Sequence, residues 1–171
     1  MEFWDVYDKN RKSRGHKIMR GGDKRLRAGE YHLTAHVCIF STDGRMLLQR
    51  RANFKGTWGG LWDITAGGSV LAGENTAEGA ERELFEELGI VASFTDATPF
   101  MTLYHGDCIS DYFILKSDVD IATVSMQSTE VQDVKYATRD EVMALLRGGG
   151  FLPYKESFIN LLFDLSEGRI F

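Results

Sequence analysis

The chain has 171 residues, 43% of them hydrophobic and 26% charged, and a formal net charge of −5. That length suits one core burying roughly two-thirds of the unfolded surface, and the composition excludes disordered and fibrous classes. The acidic balance argues against a general nucleic-acid binder, which needs a basic field, and no apolar run approaches the roughly 20 residues that span a bilayer.

Residues 1–31 begin with Phe3, Trp4, Val6 and Tyr7 and continue as a polar, basic stretch carrying Gly15, Gly21, Gly22 and Gly29. They read as an N-terminal hairpin or flap on a main domain of residues 32–171. The acid-bearing first residues do not resemble a signal peptide, so a cytoplasmic location is expected. Residues 33–40 form an apolar, β-branched run that ends in the turn Ser41-Thr42-Asp43-Gly44, and Met46-Leu47-Leu48 starts a second strand. His32 and His36 share one face of the first strand and read as structural histidines, with a second metal site as the alternative. Cys38 and Cys108 lie in apolar runs and read as small buried hydrophobes.

Residues 58–62 are a loop with bulky apolar anchors, and 63–66 form a short strand leading into Gly67-Gly68. From 76 to 88 the period changes: Ala77, Ala80, Leu84 and Leu88 recur at helical spacing, Asn75 with Glu78 supplies a capping box, and Gly89 supplies the stop. Residues 100–104, 112–115 and 131–136 are predicted strands, followed by a helix over 139–146. The glycines at 148–150 break the chain before a terminal amphipathic helix that includes Phe158, Leu161, Leu162 and Leu165. The order predicts an α/β fold, a mixed β-sheet with helices on both faces.

On the helix over 76–88, Glu83, Glu86 and Glu87 fall at i, i+3 and i+4, opposite the apolar stripe. Like charges at that spacing repel, and a hard divalent cation such as Mg²⁺ relieves the repulsion while bridging to phosphate oxygens. Arg82 is spaced to reach both Glu83 and Glu74, which would orient the cluster. A glutamate-rich helix face is by itself most often solvated surface. More than three acids are present here: Gly68, Glu74, Arg82, Glu83, Leu84, Glu86, Glu87, Gly89 and Ile90 reproduce the pattern G-x5-E-x7-R-E-U-x-E-E-x-G-U, with U aliphatic, at every position.

That pattern resembles the Nudix box, and the order of elements is similar to the family's α/β/α sandwich over most of the chain. The resemblance implies Mg²⁺- or Mn²⁺-assisted attack of water on a phosphoanhydride bond in a nucleoside-diphosphate-linked or related small molecule. It further implies that Glu83, Glu86, Glu87 and the Gly67 carbonyl ligate metal, that Arg82 supports them, and that one of the acids or Glu130, before the strand at 131, takes the proton from water. Arg50, Arg51, Lys55 and Trp62 are candidate substrate contacts; Arg50 and Arg51 point to opposite faces of a strand, so one of the two at most faces the ligand.

A weaker resemblance, carried by Tyr31-His32-Leu33, Leu47-Leu48-Gln49-Arg50-Arg51 and residues 56–63, is to Nudix proteins of the isopentenyl diphosphate isomerase branch. That isomerase uses a cysteine shortly after the tryptophan matching Trp62, where this chain has Asp63-Ile64-Thr65-Ala66-Gly67 and no thiol. The alternatives to hydrolysis are therefore an isomerase-like enzyme and, from another class, a catalytically silent domain that senses nucleotides. The expected partner is a small diphosphate compound, with no nucleic acid or membrane. The apolar ends Phe3-Trp4 and Ile170-Phe171 are candidates for a homodimer contact.

Overall fold

The computed structural model describes residues 1–23, 25–54, 56 and 58–168. Nine strands, three α-helices and one short 3₁₀ helix are assigned among them. A two-stranded sheet pairs β1 (Phe3–Tyr7) with β2 (Ser13–Met19). A seven-stranded sheet comprises β3 (His32–Phe40), β4 (Met46–Arg51), β5 (Trp62–Asp63), β6 (Ala66–Ser69), β7 (Met101–His105), β8 (Cys108–Lys116) and β9 (Val131–Ala137). Its strand order is β5-β4-β3-β8-β7, with β6 pairing β3 and β9 pairing β4. The helices are α1 (Thr76–Leu88), α2 (Arg139–Arg147) and α3 (Glu156–Ser166). No described helix is long and apolar enough to cross a membrane.

The chain divides into two compact units, and β3, β6, α1 and β8 have residues in both. One unit holds Met1–His36, Gly67–Glu83 and Ala92–Phe113. In it Phe3 faces Met19 across the first hairpin, and Val6 and Ile18 are buried. Strands β7 and β8 close at the pair His105 and Cys108, and the intervening turn needs the positive φ of Gly106, +56°. Asp111 on β8 is fully buried and accepts bonds from both terminal nitrogens of Arg11, at 2.8 and 2.6 Å, and from the hydroxyls of Thr76 and Thr102. Its burial works to raise its pKa, but the Arg11, Thr102 and Thr76 bonds outweigh that and hold the carboxyl below the usual range.

The other unit holds Val37–Ala66, Leu84–Val91 and Ile114–Phe171. There β4 runs antiparallel to β9, from Met46 opposite Ala137 to Arg51 opposite Val131. Phe40, Met46, Leu47, Leu48, Ile64, Phe151, Ile159 and Phe163 fill its interior. The buried Thr65 hydroxyl accepts from the Ile39 amide at 2.8 Å and donates to the Leu47 carbonyl at 2.6 Å, so this polar side chain in the core is satisfied on both sides. A capping box of Thr138 and Glu141 starts α2.

Several elements depart from the pattern read in sequence. The buried positions of α1 are Thr76, Gly79, Ala80, Leu84, Glu87 and Leu88, with Ala77 only half-buried, so Glu87 lies on the inward side of its helix. Strand β8 begins at Cys108, before the apolar run, because the polar Ser110 and Asp111 are fully buried and break the expected alternation. On α3 the interior is occupied by Ile159, Leu162, Phe163 and Ser166, while Leu161 remains 40% exposed. Cys38 is buried as expected; Cys108 is only partly so and lies against His32 rather than among hydrophobes. Phe3 is exposed, whereas Trp4 is partly covered and stacks on the His32 ring at 4.0 Å, which removes it from any free apolar end. Ile170 and Phe171 lie outside the described residues.

Candidate active site

Helix α1 is closed at both ends by its own sequence. The Asn75 side chain accepts from the amides of Ala77 and Glu78 at 2.9 and 3.0 Å, and Glu78 accepts from the Asn75 amide at 2.8 Å. At the other end Gly89 adopts φ +67° and its amide bonds the Phe85 carbonyl. The last turn of this helix carries no basic residue, and Glu86 and Glu87 stand there beside the negative end of the helix dipole. Acids in that place are unfavourable for the helix alone.

One group of candidate residues lies in the Met1–His36, Gly67–Glu83 and Ala92–Phe113 unit. Arg82 donates to Glu74 at 2.8 and 3.2 Å, to Glu83 at 2.9 Å and to the Ser69 carbonyl at 2.9 Å. Burial works against its charge; the bonds from Glu74 and Glu83 more than offset that, so the guanidinium is held firmly ionised. The Glu83 carboxylate lies directly on the backbone of Gly68, where any Cβ would overlap it. Gly67 is matched to a different neighbour: a Cβ there would overlap His36 Nδ1 and press on the Ala35 carbonyl at 3.1 Å. His36 is stacked on Tyr112 at 4.7 Å, with Nε2 3.3 Å from the Thr34 hydroxyl. Burial pulls its pKa down to about 4, so the ring is neutral at physiological pH.

Another group lies in the other unit. The Glu87 side chain is buried and accepts from Gln49 Nε2 at 3.0 Å. The Gln49 Oε1 oxygen is also buried and has no protein partner among the described residues. A carboxylate beside an orphaned amide oxygen is a set of hard oxygen donors, which fits Mg²⁺ or Mn²⁺ and not a soft metal. Glu86 is exposed on the same turn. The Gln127 amide bonds the Glu87 carbonyl at 2.9 Å, and the Glu130 amide in turn bonds the Gln127 carbonyl at 2.8 Å, which ties the Glu130 turn to the end of α1.

The candidate substrate contacts are more dispersed. Arg50 is exposed and donates to the Gly60 carbonyl at 2.9 Å. Arg51 is partly buried, 3.9 Å from the Asp63 carboxylate. One face of the Trp62 ring is covered by Lys135, whose Nζ stands 4.5 Å from the ring centre. Lys55 lies outside the described residues. Gln49 and Ser69 are not specified positions of the Nudix box pattern. Gln49 was legible only as a polar residue closing the fully buried run Met46 to Leu48, and Ser69 contributes a backbone oxygen that no side-chain pattern reports.

Residues 30–156 match the model of the NUDIX domain. The chain belongs to the Nudix family. It is 38% identical to the uncharacterized Nudix hydrolase lmo0368 of Listeria monocytogenes over 167 residues, which spans 98% of this chain and 96% of that protein. It is also 38% identical to an isopentenyl-diphosphate Delta-isomerase of Halorhodospira halophila, over 91 residues and 51% of each chain. The fold is similar to that of DR0079 from Deinococcus radiodurans, with a TM-score of 0.72 and 20% identity over 94% of this chain and 97% of that one. The Nudix model takes in all of β3 to β9, α1 and α2, so family membership covers every element described for the candidate site.

Proposed function

We propose that this Nudix protein is a Mg²⁺- or Mn²⁺-dependent pyrophosphohydrolase that cleaves a phosphoanhydride bond in a small molecule carrying a diphosphate linkage, such as a nucleoside-diphosphate conjugate. The observation that carries the reading is the single capped helix α1, on which Glu83 is seated against Gly68, Glu87 is buried against Gln49, and Arg82 is locked between Glu74 and Glu83.

Glu83, Glu86, Glu87 and the Gly67 carbonyl would hold the cation. When bound, it neutralises charge on the non-bridging phosphate oxygens and acidifies an attacking water. The rest is the work of the chain's own groups. Arg82 fixes the rotamer of Glu83, so that its carboxylate does not have to be ordered when substrate arrives. Gln49 does the same for Glu87. Burial of Glu87 keeps competing water away from that side of the cluster. Glu86 or Glu130 accepts the proton from the water; Glu86 is exposed on the metal-binding turn, and Glu130 sits on a turn bonded to the end of α1. Arg50, Arg51, Lys55 and Trp62 are the proposed contacts to the remainder of the substrate. The two free thiols fit a reducing, cytosolic compartment.

Isomerase chemistry is disfavoured by the residues at hand, since 63–67 offers no thiol and burial pushes the Cys38 thiol far up in pKa. The deciding experiment incubates the full chain and Mg²⁺ with a panel of nucleoside-diphosphate and prenyl-diphosphate compounds. Release of phosphate or of a monophosphate product from at least one of them supports hydrolysis. Rearrangement of isopentenyl diphosphate without phosphate release supports the isomerase reading, and binding without turnover supports a sensor.

A further inference from the structure

A second set of metal-ligand side chains shares no residue with the α1 cluster. His32 at the start of β3, Asp107 in the β7–β8 turn and Cys108 at the start of β8 bring a ring nitrogen, a carboxylate oxygen and a sulfur within 4.8 Å of one another. His32 Nε2 is 3.2 Å from Cys108 Sγ, and Sγ is 3.6 Å from Asp107 Oδ1. Metal bonds of about 2.3 Å to sulfur and about 2.1 Å to nitrogen or oxygen, opened at a tetrahedral angle, hold such donor pairs roughly 3.6 Å apart. The two pairs that include the sulfur stand near the spacing that a tetrahedral ion imposes, and the nitrogen and oxygen lie within 4.8 Å of each other.

They are also held there by the frame. The His32 amide bonds the Asp107 carbonyl at 3.0 Å, which pins the hairpin turn to β3. The two-residue turn is fixed by its register and by Gly106 in the left-handed region. Trp4 lies flat on the imidazole, at 4.0 Å and 8°, and sets the ring plane. His32 Nε2 is the ring nitrogen that faces the sulfur. Cys108 and Asp107 are partly and largely exposed, which gives an ion a way in and leaves a fourth position to water.

We propose that His32, Asp107 and Cys108 form a site for a divalent transition metal of the zinc class. A sulfur, nitrogen and oxygen donor set with one open position selects a borderline-soft ion, in contrast to the hard all-oxygen donors near Glu87. The inference does not rest on the proposed hydrolysis. Binding exchanges the thiol proton for the metal–sulfur bond and releases that proton to solvent.

The test uses the full chain, metal-free and reduced, titrated with Co²⁺ alone. One equivalent should bind with a thiolate-to-cobalt charge-transfer absorption in the near ultraviolet, which Zn²⁺ then bleaches by displacement. Cys108→Ser should abolish the band, Asp107→Asn should weaken binding roughly tenfold or more, and Glu87→Gln should leave both unchanged. No charge-transfer band in the wild type, or a band that survives in Cys108→Ser, overturns the site. Should Cys108→Ser not fold by circular dichroism, Asp107→Asn at the exposed turn carries the decision, and an affinity equal to wild type overturns the proposal.

Discussion

Glu86 and Glu87 occupy the turn of α1 where a helix least accommodates negative charge, and Glu87 is buried as well. Their carboxylates are thus maintained against local preference. Glu86→Gln or Glu87→Gln is expected to lower kcat at least about a hundredfold while the circular dichroism spectrum stays unchanged, because the amide keeps the shape and loses the charge. Turnover equal to wild type in either variant would exclude the metal assignment. Gly68→Ala separates position from charge: the new methyl displaces the movable end of Glu83, so activity should fall on the order of tenfold to a hundredfold with little change in Tm. Asp63 tests the interior of the other unit. Burial pushes its carboxyl up to about 6 from the usual 3.8, against bonds from the Ile64 amide and the Tyr154 hydroxyl. Between those values the folded protein keeps a proton that the unfolded chain releases. The associated stability is complete below 3.8 and is lost as pH rises through 6. Asp63→Asn keeps the acceptor oxygen and removes the titration, so it should exceed wild type in stability at pH 8 by on the order of 2 kcal/mol and lose that advantage in acid. A urea-unfolding gap independent of pH would refute this.

At the scale of elements, Asp111 joins four pieces of chain: the turn before β2 through Arg11, the first residue of α1 through Thr76, β7 through Thr102, and its own β8. Removing the cation leaves a fully buried carboxylate with hydroxyl partners alone. Arg11→Ala is expected to cost about 2 kcal/mol in urea unfolding, at the low end for a buried pair because the arginine side chain is 34% exposed. A loss below about 0.5 kcal/mol would show that Thr76 and Thr102 suffice. The departures from sequence expectation belong to this scale too. Asp111 and Ser110 are buried polar residues whose partners lie far along the chain, at Arg11 and Thr34. Periodicity counts such residues as solvent-facing, and β8 was accordingly expected to start too late. On α3 every candidate position is apolar, so composition could not distinguish Leu161 from Ile159 or Phe163; packing against Phe40 and the rest of the unit decides.

For the whole molecule, a net charge of −5 and the proposed diphosphate substrate repel each other unless cations intervene. A chelator should therefore abolish hydrolysis, and Mg²⁺ or Mn²⁺ should restore it. Because the attacking water must lose a proton, the restored activity should be greater at alkaline pH than at about pH 6. Persistence of full activity in excess chelator, or a flat pH profile, would each count against metal-assisted attack by water.

Local order was sufficient to place α1 from Thr76 to Leu88, its asparagine and glycine caps, and the spacing of Arg82, Glu83, Glu86 and Glu87. All of these depend on hydrogen bonds and periodicity within one or two turns of chain, and such information is complete in a short stretch of sequence. What the carboxylates face was settled only by the tertiary structure. Glu83 meets Gly68, Glu87 meets Gln49, and His32 meets Asp107 and Cys108, each across a separation at which the chain between imposes no geometry. Those encounters are set by strand register and by the burial of neighbouring side chains, which are properties of the packed fold and of no local pattern.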